Sequence, residues 1–236
     1  PEAVGERARA LVRAAGGRPL TEREGKQILA LYDIRTTRET LAGTAEEAGE
    51  AARAIGFPVA LKVESPDLLH KTEVGAVLLN VADAEQVRMG FARILASARA
   101  AAPRADVLGV LVQEMAPSGV ETILGMSQDA QLGPVVACGL GGIFVETLED
   151  VQLLLPPVES ADARAALGRL RAAQVFQGVR GRPAADVEAL VDAVVRFGEL
   201  CTDLRDVAEE IDVNPLLVLP AGQGVLALDA LIVPRG

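Results

Sequence analysis

Tryptophan is absent, histidine and tyrosine occur once each, and cysteine occurs twice among 236 residues. Each scarcity removes a class of function. Cys138 and Cys201 lie far apart and have no metal-ligand spacing. With His70 as the single histidine, too few soft donors remain for a zinc site. Two isolated thiols make no disulfide framework, so a cytoplasmic location is expected. No apolar run approaches the roughly 20 residues that a membrane helix needs, and no membrane association is expected. Asp106, Glu114, Glu121 and Asp129 interrupt the longest candidates. The opening PEAVGERARALVRAAGG has neither the apolar core of a signal peptide nor an initiating Met, so the chain reads as a piece cut from something longer.

A basic surface is missing too. Acidic side chains outnumber basic ones 33 to 23, a formal net charge of −10, so no nucleic-acid partner is expected. Glycine loops with a few Arg or Lys still bind phosphate locally. Lysine occurs only at 26, 62 and 71, two of these in or beside the stretch SPDLLHKTEVGAV that holds His70. Hydrophobic residues make up 50% of the chain, enough for a real core.

The order of elements is legible. Residues 3–15 read as a helix, followed by the linker Gly16-Gly17-Arg18-Pro19. Thr21-Glu22-Arg23-Glu24 and Thr44-Ala45-Glu46-Glu47 have capping-box spacing and predict helices to about Tyr32 and Gly56. VALKVES, AVLLNV and VLGVLVQEM predict strands, with a long helix capped by Asp83 before the third. The second half holds the strands VETILGMS, GPVVACG, IFVETL and VQLLLP, then helices around 161–173 and 184–202. EEIDVNPLLVL and GVLALDALIV close the chain around a turn at 220–224. Segregated strands and helices point to an α+β fold in two lobes rather than a regular βαβ series.

Four stretches carry candidate chemistry. Lys62 sits mid-strand with Leu61 and Val63 on the opposite face; it is either a solvated edge residue or a cation aimed at phosphate. The long loop after it presents His70 and Gly75. Gly139-Leu140-Gly141-Gly142 lacks the helix of a dinucleotide fingerprint, and is either a tight turn or an amide cradle for an anion. Glu210, Asp212 and Asn214 alternate with Ile211 and Val213 and therefore share one strand face, while Asp229 interrupts an apolar strand. That set is either the polar side of a hairpin or a set of oxygen donors suited to Mg²⁺. Finally, Gln113-Glu114-Met115 ends one strand and Glu121 opens the next.

In this order the stretches LTEREGKQILALYDI, GFPVALKVESPDLLHKTEVGAV, VLVQEMAPSGVETILG, GLGGIFVETLEDV and EEIDVNPLLV with ALDA resemble the ATP-grasp domain of NDP-forming acyl-CoA synthetases. This is the beta-type part of ADP-forming acetate–CoA ligases, related to the succinyl-CoA synthetase beta subunit. The resemblance implies two lobes with mixed or antiparallel sheets enclosing a nucleotide cleft, the first over 20–112, the second over 113–236, with 1–19 as a leading helix and linker. It implies ATP/ADP and Mg as cofactors, and a CoA-binding, alpha-type ligase domain or subunit as partner in an oligomeric assembly. It places Lys62, Gln113, Glu114, Met115 and Glu121 at the nucleotide, and Asp212, Asn214 and Asp229 at magnesium. Lys71, Gly141, Gly142 and Arg180 are placed along the phosphate, and His70 as phosphoryl acceptor. Apart from the resemblance, Asp67 and Glu73 are candidates to hold the second ring nitrogen of His70. Two positions depart from the family pattern: Asp33 and Ala76 stand where relatives carry glycine. Two other functions fit less of the pattern. One is the synthetase-like regulatory region of a protein lysine acetyltransferase. The other is an ATP-grasp ligase that attacks an acyl phosphate with an amine.

Overall fold

The computed structural model describes residues 2–68, 74–142, 150–178, 181 and 183–236. The chain runs α1 (Glu2–Ala14), α2 (Glu22–Leu31), β1 (Glu39–Ala42), α3 (Ala45–Ile55), β2 (Val59–Glu64), β3 (Val77–Val81), α4 (Ala84–Ala101) and β4 (Gly109–Glu114). It continues through β5 (Val120–Asp129), β6 (Gly133–Leu140), β7 (Val151–Leu154), α5 (Ser160–Gly168), a 3₁₀ turn (Ala173–Gln177) and α6 (Val187–Leu204). β8 (Ala208–Val218), β9 (Val225–Ala227) and β10 (Leu231–Pro234) complete it. The α+β class holds, and the paired strands run antiparallel in two sheets.

The chain forms two compact units, Thr37–Ala116 and Pro1–Thr36 with Pro117–Gly236. These limits differ from the sequence boundaries at 19/20 and 112/113. The reason is apolar burial: Ala8 and Val12 of α1, and Leu20, Ile28, Leu29, Tyr32 and Ile34 in and around α2, all enter the core of the larger unit.

In the smaller unit the strand order is β1-β4-β2-β3. Thr44 and Glu47 form a capping box with reciprocal bonds, as Thr21 and Glu24 do in the larger unit, and Asp83 accepts from the N–H groups of Glu85 and Gln86. Val59, Leu61, Val63, Val110 and Val112 share a core with Ala48 and Ala52 of α3 and with Val87, Phe91 and Ile94 of α4. β1 was not expected, because ETLA is short and shows no apolar alternation. It forms at the sheet edge by pairing with β4, from Glu39 opposite Gln113 to Ala42 opposite Val110.

In the larger unit the order is β10-β8-β5-β6-β7, with β9 also against β8. Leu124, Met126, Val136, Cys138, Ile211 and Val213 are buried in one core with Leu190, Val194, Phe197 and Cys201 of α6. The closing stretch GVLALDALIV is two strands rather than one, interrupted at 228–230, around Asp229. The helix expected over 161–173 stops at Gly168, and the strand expected at IFVETL lies outside the described residues. No helix among the described residues is long and apolar enough to cross a membrane.

The sole tyrosine ties α2 to α6. Tyr32 is buried and its hydroxyl donates to Asp203 Oδ2 at 2.7 Å, while Arg9 of α1 donates to the Asp203 carbonyl at 2.9 Å. Next to it Asp33 takes a left-handed φ of 54°, where glycine would be unstrained. Its carboxylate accepts from Arg196 Nη1 at 2.8 Å, which offsets part of that strain. Burial, then the neighbouring Asp203, push the Tyr32 phenol well above its ordinary range. Tyr32→Phe is expected to lower the unfolding free energy by about 1–2 kcal/mol in a urea titration. Because the folded state holds the phenolic proton more tightly, this stabilisation is complete below about pH 10 and is lost as pH rises beyond it. Tyrosinate absorbance should therefore stay flat through about pH 10 and rise only as the chain unfolds.

Candidate functional site

In the smaller unit β2 lies inside the sheet, between β4 and β3. Leu61 and Val63 face the helices, so Lys62 shares the opposite face with Ala60 and Glu64. That face is not a solvated edge. Ala60, Glu64, Leu111 and Gln113 are buried, and Lys62 itself is half-buried beside Leu111 of β4 and Val77 of β3. Lys62 is thus a cation on an interior strand of a largely buried face. His70, Lys71 and Glu73 lie outside the described residues. Asp67 Oδ2 accepts from the Asp106 N–H at 2.7 Å. Ala76, the departure from glycine, is fully buried and its carbonyl accepts from the Val63 N–H at 3.0 Å.

At the end of β4 the side chains are committed locally. Gln113 Nε2 donates to Thr37 Oγ1 at 2.7 Å. The Glu114 carboxylate accepts from the Arg38 N–H at 2.8 Å and from Arg38 Nε at 2.7 Å. Met115 follows the last register pair of β4, Glu114 with Val59. Arg38 was missed from sequence, because RTTRETLA carries no motif that distinguishes one arginine from another.

In the larger unit the structure brings Glu121 and the glycine turn together. The Gly141 N–H donates to the Glu121 carbonyl at 2.7 Å. Gly142 has φ 63°, and a Cβ built there would stand 2.7 Å from Glu121 Oε2. At Gly139 a Cβ would stand 2.6 Å from the Asp150 carbonyl oxygen. Close approach of backbone requires Gly139, the left-handed φ requires Gly142, and the Glu121 carboxylate sits against the turn. Arg180 lies outside the described residues.

β8 presents the acidic face. Ile211 and Val213 are buried, Asp212 is partly exposed, and Glu210 and Asn214 are exposed. Leu231 pairs with Asp212, and the Leu228 N–H donates to the Pro215 carbonyl at 3.0 Å. These two contacts bracket Asp229 and bring it alongside the 212–214 stretch. Burial first, then the charges of Glu210 and Asp229, raise the Asp212 carboxyl to about 6. α2 packs on the segment that carries Asp229: a Cβ at Gly25 would stand 3.0 Å from the Ala230 carbonyl oxygen. Beside it Glu22 and Lys26 form a buried ion pair at 2.7 Å, a contact that their i,i+4 spacing signals in the sequence. Among the described residues no group of three or more His, Cys, Asp or Glu is arranged to hold a metal. Asp212, Asp229 and the Asn214 amide offer oxygen donors of the kind that could hold a hard divalent cation. Neither thiol is poised for chemistry, since burial raises Cys138 to about 11 and also raises Cys201.

Comparison with known proteins identifies the family. A family model described as an ATP-grasp domain matches residues 11–233. The chain belongs to the ATP-grasp family. Within it, the chain is of the type of the beta subunits of ADP-forming acetate–CoA ligases. The ADP-forming acetate–CoA ligase II beta subunit of Pyrococcus furiosus is 39% identical over 225 residues, 95% of each chain. A dinucleotide-forming acetyl-coenzyme A synthetase 1 of Ca. Korarchaeum cryptofilum, solved with coenzyme A, Ca-AMPCP and HgCl+, is 38% identical with a TM-score of 0.90, covering 94% of this chain and 96% of that one. The same synthetase with coenzyme A and Mg-AMPPCP, its phosphohistidine segment pointing towards the nucleotide site, is 36% identical with a TM-score of 0.83, covering 97% and 100%.

The packing of Glu121 on the turn makes a testable pair. Gly142→Ala forces a left-handed alanine and a clash, with an expected cost of about 1–2 kcal/mol in chemical denaturation. Adding Glu121→Ala removes the clash but not the backbone strain, so the double variant should be more stable than the sum of the two single effects predicts.

Proposed function

We propose that this chain is the nucleotide-binding, phosphoryl-transferring part of an ADP-forming acyl-CoA synthetase, working with a CoA-binding ligase subunit or domain in the cytoplasm. The observation that carries this reading is the end-to-end match to a beta subunit, 95% of both chains at 39% identity. The transfer breaks the P–N bond of a phosphohistidine and forms a P–O bond to the terminal phosphate of ADP, or runs in reverse. Such chemistry needs positioning and charge neutralisation more than covalent help from the protein.

Several residues are suited to that work. Lys62 supplies a fixed cation for phosphate oxygens, supported by its half-buried place on an interior strand. The backbone at 113–115 takes the edge of the base, since the Gln113 and Glu114 side chains already bond Thr37 and Arg38. Glu121 lies at the nucleotide, and the Gly141 and Gly142 turn, together with Lys71 and Arg180, follows the phosphates. Asp212, Asn214 and Asp229 hold Mg²⁺, which neutralises phosphate charge when bound. His70 accepts the phosphoryl group, which requires one unprotonated ring nitrogen.

Incubation with ATP and Mg²⁺ beside the partner subunit, followed by intact mass, tests the reading. The wild type should carry one acid-labile phosphoryl group that His70→Ala lacks. Equal labelling of both would remove His70 from the mechanism. Asp212→Asn should lose most Mg-ADP affinity in calorimetry. Without metal it should also unfold at a higher temperature than the wild type at pH 8, because it relieves a partly buried carboxylate held among like charges.

A further inference from the structure

We infer that Arg38 is a positioning residue for recognition of the nucleotide base, acting through Glu114 on the 113–115 backbone; the inference rests on the nucleotide reading above. Arg38 belongs to none of the motifs that point to the family. Yet it grips both oxygens of Glu114, one through its backbone N–H at 2.8 Å and one through Nε at 2.7 Å. Nη2 donates to the Ile55 carbonyl at 3.1 Å, which anchors the guanidinium to the end of α3. In return the Glu114 N–H donates to the Arg38 carbonyl at 2.9 Å. One residue inward, Gln113 Nε2 reaches the buried Thr37 hydroxyl at 2.7 Å. The chain at 37–38 is thus laced to the end of β4 where β4 gives way to Met115.

The exposure of the pair says what this lacing is for. The Arg38 side chain is 65% exposed and that of Glu114 19%. An ion pair whose cation is this open to water contributes little to global stability. Its three side-chain and main-chain donors instead fix the direction in which the strand leaves the sheet. A backbone that reads a base by N–H and C=O groups depends on such direction, because sub-ångström misplacement weakens every bond it makes. Lysine at 38 lacks the planar fork that reaches Glu114 and Ile55 together, so it should not substitute.

The test uses the chain assembled with its partner subunit and compares two ligands by calorimetry. Mg-ADP carries base and phosphates, and Mg-pyrophosphate carries phosphates alone. Arg38→Ala and Arg38→Lys should each weaken Mg-ADP roughly tenfold, the worth of about one hydrogen bond. Pyrophosphate affinity should stay within about twofold, because its contacts do not pass through residues 113–115. Arg164→Ala removes another exposed Arg–Glu pair, with Glu188, and should change neither ligand. Unchanged ADP affinity in the Arg38 variants, or an equal loss for both ligands, overturns the inference. A wild type that binds neither ligand overturns the nucleotide reading itself, and the inference with it.

Discussion

The alternation of β8 is the constraint from which the acidic site follows. Ile211 and Val213 are buried to within 1% in the core of the larger unit. Hydrogen bonding to β5 on one side and β10 on the other leaves the strand no freedom of register. A slip by one residue would drive Asp212 into the apolar core and expose its two neighbours. The burial of two aliphatic side chains therefore holds Glu210, Asp212 and Asn214 on one face. The bond from Leu228 to Pro215 and the contact of Gly25 with Ala230 then set Asp229 beside them. Burial first, and then the concentrated negative charge, raise the Asp212 carboxyl, and a bound cation would relieve it.

The smaller unit repeats the logic with opposite charge. Leu61 and Val63 pack with the helices, so Lys62 projects from the other side of an interior strand. In both units the apolar residues pack the core while their polar sequence neighbours stand on the opposite strand face. Left-handed backbone falls on Gly142 beneath Glu121 without strain, on Asn80, and on Asp33, where the bond to Arg196 offsets part of the strain.

Local signals in the sequence were read well because their physics is local. The Thr21 and Thr44 boxes, the Asp83 cap and the faces of β2 and β8 depend only on neighbours three or four residues away, or on alternate positions. What failed depended on tertiary partners. β1 exists because β4 offers it an edge. α1 and α2 join the later part of the chain because its core takes their apolar faces, and nothing within residues 1–36 announces that. The same holds for the break of the last strand at 228–230 and for the commitment of Glu114 to Arg38. Among the proposed site residues, the sequence revealed the type and the spacing. The contact of Glu121 with Gly142 and the approach of Asp229 to β8 needed coordinates.

The central claim is that the open face of β8 holds the metal of a bound nucleotide. A crystal structure with ADP and Mn²⁺, a hard ion that favours the same oxygen ligands as Mg²⁺, tests it most directly through the anomalous signal of manganese. The account predicts one strong peak coordinated by oxygens of Asn214 and Asp229, with Asp212 on or next to the ion. A nucleotide bound with its manganese away from these three residues would contradict it.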